Sequence, residues 1–194
     1  MYELPTQIEL SDGTILAIRD RGDFRMVLDC FEILNDQELN KQERVFGSLI
    51  VFYNLDEFDD IVKIPDIEEA YEKMVNFFNA NQPESIVKKP KLIDWNYDST
   101  FIFSAVNNVA GKEVRLEEYL HWWTFMGYYM SIGESALSTI VSIRDKIVKG
   151  KKLEKYEQEY KKNNPEYFNW DFQSTTDKDM DKLVREIWNN GGQL

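Results

Sequence analysis

The chain has 194 residues, of which 43% are apolar, 30% charged and 14% aromatic, with a net charge of −12, one cysteine and one histidine. That length supports one packed domain, and the sign of the charge argues against general affinity for nucleic acid or anionic membranes. A single cysteine excludes an internal disulfide, and one Cys with one His excludes the usual Cys/His zinc sites.

The N-terminus lacks the basic start and apolar stretch of a signal peptide. No apolar run approaches the roughly 20 residues of a membrane span, so the chain is expected to stay in the cytoplasm where it is made. "TQIEL" and "TILAI" alternate as strands around "SDG". Asp12-Gly13 suits a two-residue turn, which would set Ile8 and Leu10 on one face with Ile15 and Ala17.

Helical periodicity then takes over. "DFRMVLDCFEIL" spaces Phe24, Val27, Leu28 and Phe31 along one face, with Asp23 as the cap and Cys30 as a buried, inert thiol. "NKQERVFGSLIVFYN" reads as a second helix, and "DEFDDIVKIP" as a connection ended by Pro65. "DIEEAYEKMVNFFNAN" is a third helix with acids in its first turn, where the helix dipole favours them. Its stripe is Ile67, Ala70, Tyr71, Met74, Phe77 and Phe78. "QPESIVKKPK" reads as a loop near 82–91.

Further helices are predicted in "DSTFIFSAVNNVAG", "RLEEYLHWWTFMGYYMSIG" and "ESALSTIVSIRDKIVKG", each followed by a glycine suited to a C-cap. A charged helix, "KKLEKYEQEYKKN", follows. The expected fold is mainly α with a small N-terminal β-hairpin. Residues 1–164 form a single helical domain, and 165–194 form a C-terminal segment with a terminal amphipathic helix.

Motifs for chemistry are not found. The sequence contains no phosphate-binding glycine loop, no nucleophile elbow and no His-Glu-x-x-His. "NLDEFDDI" lacks the ligand alternation and mid-loop glycine of a calcium-binding loop. Catalytic residues, cofactors and a metal site are therefore not expected.

The informative stretch is "LHWWTFMGYYMSIGESAL". As a helix from Leu116 to Ile132 it places Leu116, Tyr119, Leu120, Trp123, Gly127 and Met130 on one face. Trp122, Phe125, Tyr129 and Ile132 fall on a second, so the helix is either central in a core or shared between core and interface. Gly127, at a cost of roughly 1 kcal/mol against alanine, suggests close packing of another element. His121 sits between the faces, with Glu117 as its i,i+4 partner, and reads as structural.

The charges are uneven as well. Eight acids stand against Lys63 between Asp56 and Glu72, while basic residues predominate between Arg144 and Lys162. Both are solvated faces by default; complementary docking between copies would weaken with salt.

"GDFRMVLDCFEIL", "IDWNYDSTFIFSAV", "LHWWTF" and "IVSIRDKIVKGKK", in that order and spacing, resemble a family of gp-fifteen-type tail proteins. These occur in long-tailed phages and prophages of Gram-positive bacteria. The positions that carry the resemblance include Asp23, Phe24, Arg25, His121, Trp122, Trp123, Phe125 and Arg144. It implies a tail assembly chaperone, not an enzyme, in the host bacterial cytoplasm. Its partner would be the tape-measure protein, with self-association or a companion tail chaperone besides. Trp122, Phe125, Met126, Tyr128, Tyr129 and Met130 are the partner-binding candidates. The alternative is a structural minor tail or connector protein, which, unlike a chaperone, would remain in the virion.

Overall fold

A computed structural model of the chain describes residues 3–56, 58–80, 82 and 90–169. The fold is mainly α with one two-stranded antiparallel hairpin, β1 (Gln7–Glu9) and β2 (Ile15–Ala17). The described chain divides into two compact units. The first holds 3–82 with 118–126, and the second 90–117 with 127–169.

The hairpin forms as expected but in a different register. Leu10 N–H donates to Thr14 O at 2.8 Å, which leaves a three-residue loop in which Gly13 adopts φ 87°. Ile8 therefore faces Leu16, not Ala17. A one-residue slip exchanges the faces of a strand: Leu10 and Ile18 are buried, while Ile15 is 58% exposed. The loop ends are tied to the third long helix, since Ser11 N–H and Oγ both donate to Glu69 Oε1, at 2.9 and 2.7 Å.

The first unit is built on α1 (Phe24–Asn35), α2 (Lys41–Phe52), the short α3 (Phe58–Ile61) and α4 (Ile67–Phe78). Each long helix has a polar start that satisfies the unpaired N–H groups of its first turn. Asp23 accepts from Arg25 N–H, Asn40 and Glu43 form a capping box, and Asp66 accepts from Glu69 N–H. Of the stripe expected on α4, Ile67 is half-buried, and Ala70, Tyr71, Met74, Phe77 and Phe78 are buried. The core they join includes Phe24, Val27, Cys30, Leu49 and Phe52. Burial pushes the Cys30 thiol pKa up, in line with an inert role.

The second unit contains α5 (Ser99–Ala110), the end of α6 (Trp122–Met130), α7 (Ala136–Val148) and α8 (Lys155–Asn163). Gly111 (φ 70°) and Gly150 (φ 63°) supply the left-handed residues that follow α5 and α7. Ile140, Ile143 and Phe168 form a core against which Phe101, Ile147, Leu153, Tyr160 and Tyr167 pack. Pro165–Phe168 is a short 3-10 turn that belongs to this core. The terminal amphipathic helix expected after it, and residues 83–89 of the expected loop, lie outside the described residues.

Arg144, wholly buried, organises this unit. Its guanidinium grips Asp98 with Nη1 to Oδ2 at 2.7 Å and Nη2 to Oδ1 at 3.0 Å. Nε and Nη2 both donate to Tyr167 O, and Nη1 donates to Leu92 O at 2.9 Å. A planar five-donor fork suits such a site, and a lysine ammonium does not. Arg144→Met would strand the buried Asp98 carboxylate, and we expect a loss of roughly 3–5 kcal/mol in urea unfolding followed by circular dichroism.

Candidate functional site

The segment expected to form one long helix from Leu116 does not. Val114–Leu116 is a 3-10 turn, and α6 begins only at Trp122. Leu116, with 83% exposure, and Tyr119, with 42%, are outside any helical core face. No helical i,i+4 relation therefore links Glu117 and His121.

What stops the helix is a contact from far away in the chain. Leu120 N–H donates to Asp23 Oδ2 at 2.8 Å, and Phe24 N–H donates to Leu120 O at 2.9 Å. Asp23 and His121 thus form an isolated antiparallel bridge. The same carboxylate caps α1 and pairs with Arg25 Nη1 at 3.0 Å.

His121 is the cap of α6. Its carbonyl accepts from Thr124 and Phe125 N–H, and its Nδ1 accepts from Trp123 N–H at 3.0 Å. Nδ1 must then carry a lone pair, so the proton resides on Nε2, which donates to Pro5 O at 3.0 Å. Burial lowers the His121 pKa below its ordinary 6.5, with Pro5 and Asp23 opposing. With both ring nitrogens engaged, the side chain ties the segment before β1 to the start of α6.

The two tryptophans complete the junction. Trp122 Nε1 donates to Phe78 O at 2.8 Å, and Trp123 Nε1 donates to Phe77 O at 3.0 Å. Those carbonyls belong to the last turn of α4, where helical partners run out. Phe125 stacks on Phe24 at 4.8 Å with 5° between planes, and Arg25 lies 4.6 Å over the outer ring, that of Phe24.

Of the partner-binding candidates, Trp122 and Phe125 are wholly buried, and their surfaces belong to the core of the first unit. Met126, also in that unit, is half-buried. In the second unit Tyr128 and Tyr129 are half-buried and Met130 is 54% exposed. Tyr129 packs on Trp95 at 5.1 Å, and burial pushes its phenol up to about 12. Gly127 meets no close neighbour: nothing lies within 4 Å of an added Cβ.

Sequence reasoning missed Pro5, Gly22 and Asp98. Gly22 has φ 81°, and a Cβ there would meet Phe77 Cζ at 2.8 Å and His121 Nε2 at 3.0 Å. No local signal identifies Pro5, because its role is only to expose a carbonyl. Asp98 carried a readable one, an acid just before a helical pattern, though it spends its carboxylate on Arg144. Among the described residues no group of three or more His, Cys, Asp or Glu is placed to hold a metal ion, and no helix is long and apolar enough to cross a membrane.

The two glycines predict opposite outcomes. Gly22→Ala combines a left-handed backbone with overpacking and is expected to cost at least about 2 kcal/mol. Gly127→Ala adds a helix-favouring methyl in open space and is expected to stabilise by up to about 1 kcal/mol. Thermal unfolding of both variants checks the pair.

No curated protein and no solved structure matches the chain. A family model described as "Bacteriophage Gp15 protein" matches residues 3–168. That span takes in the whole Asp23–His121 junction and the Arg144–Asp98 pair, and on this match the chain belongs to the Bacteriophage Gp15 protein family.

Proposed function

We propose that the chain is a non-enzymatic tail assembly chaperone. It acts in the host bacterial cytoplasm, binds the tape-measure protein, and keeps it soluble while the tail tube assembles. Family membership over residues 3–168 carries this reading.

The physical requirements agree with it. A chaperone for a long apolar client needs a surface that adapts to many side chains, for which methionine and aromatic rings are suited. Tyr128, Tyr129 and Met130 offer one in the second unit, and Met126 presents part of its side chain in the first. A net charge of −12 keeps a loaded complex in solution.

Self-association, or pairing with a companion tail chaperone, belongs to the same proposal. Ion pairs narrow the basic stretch available for it. Arg144 is buried with Asp98, Lys146 binds Glu157, and Lys149 binds Asp145. Exposed Lys151, Lys152, Lys155, Lys161 and Lys162 remain, beside exposed Glu154 and Glu159. The acidic side narrows too, since Asp60 pairs with Lys63 and Glu69 with Lys73.

Co-expression with the tape-measure protein of the same genome should yield a soluble complex that elutes as one species with light-scattering detection. The double substitution Tyr128→Ser and Met130→Ser should lose the complex and keep the fold. Trp122→Ala should instead lose the fold, at about 3–5 kcal/mol. A tape-measure protein that stays insoluble beside lone chains would defeat the chaperone and favour the structural tail component. Separately, any self-assembly should weaken between 0.05 and 1 M salt as the screening length falls to about 3 Å. Sedimentation that ignores salt would rule out the charge-guided contact.

A further inference from the structure

His121 is the only histidine of the chain, and its two ring nitrogens serve two different segments. Nε2–H donates to Pro5 O, holding the segment before β1, and Nδ1 accepts from Trp123 N–H, starting α6. We propose that this junction is an acid-labile clasp: protonation at Nδ1 opens the start of α6 and frees the segment around Pro5 in a single local event.

The geometry leaves no room for the charged ring. A proton on Nδ1 would face the Trp123 N–H donor across 3.0 Å, two donors with no acceptor between them. The side chain is 1% exposed, so the cation gains no water without leaving its place. Because one ring holds both partners, its departure breaks the Pro5 bond as well, although Nε2–H is a donor in either protonation state.

The neighbours do not offset the charge. From the start of α1 the facing ionic group is Asp23, itself paired with Arg25 at 3.0 Å. From α4, Phe77 presents a ring whose centroid lies 5.5 Å from that of the imidazole. The 3-10 turn before α1 presents Gly22, with no side chain, and the N-terminal segment presents a carbonyl. Asp23 favours the cation, but burial outweighs it and the pKa is lowered.

The linkage has a definite sign. The unfolded chain takes up the proton first as pH falls, so the stability is complete above about 6.5 and declines below it. The loss reaches at most about tenfold in the folding constant per pH unit, and it levels off below the folded-state pKa.

The test is a proton NMR titration of the full chain from pH 8 to 5, in which a single imidazole signal can be followed. The ring should titrate below 6.5, and the Trp123 and Thr6 amide signals should move with the same midpoint. Thermal midpoints of His121→Asn, whose side-chain oxygen can still cap α6, should fall less between pH 7.5 and 5 than those of the native chain. A ring midpoint at or above 6.5 would overturn the clasp. So would Thr6 and Trp123 signals that ignore the ring, or a ring that stays neutral until the whole chain unfolds. Should the Asn variant fail to fold, the native titration decides alone.

Discussion

The Asp23 carboxylate accepts from two N–H groups far apart in sequence, that of Arg25 at the start of α1 and that of Leu120, 97 positions beyond Asp23 and just ahead of α6. Hydrogen bonds to a charged, buried acceptor contribute about 1.5–3 kcal/mol each. This one ties the segment 118–126 to the rest of the first unit. Once Leu120 is held, Phe125 reaches Phe24 and the two indoles reach the end of α4. Without it the aromatic core would lack one of its walls.

The family positions acquire a physical meaning from this arrangement. Asp23, Phe24 and Arg25 form the cap, the stacked ring and the cation over it. His121, Trp122, Trp123 and Phe125 supply the bridge, the α4 caps and the partner ring. Arg144 does the corresponding task in the second unit. These residues maintain shape. A motif built of such residues can be diagnostic of a family and silent about its chemistry.

Local rules made much of the fold legible. The α4 stripe, the Asp23 cap and the glycines after α5 and α7 follow from spacing and from conformational preference. What sequence hid was long-range. The hairpin register turned on Leu10 bonding to Thr14, which adds one loop residue and reverses the faces. The α6 boundary turned on a histidine acting as cap, a role that composition seldom assigns, and on a carboxylate bond from α1. Periodicity extended the helix back to Leu116 because nothing nearby forbids it. The two-faced aromatic surface inferred from that longer helix separates into buried Trp122 and Phe125, half-buried tyrosines and exposed Met130.

The interleaving of the two units constrains how the chain can be made. Residues 90–117 emerge from the ribosome before the segment 118–126 that completes the first unit. Domains ordinarily fold as they emerge, N-terminal part first. Here Phe24 must wait for Phe125, Phe31 for Trp122 and Phe77 for Trp123 to be synthesised before their rings are covered. The nascent protein therefore carries an open aromatic surface until the segment 118–126 has been made.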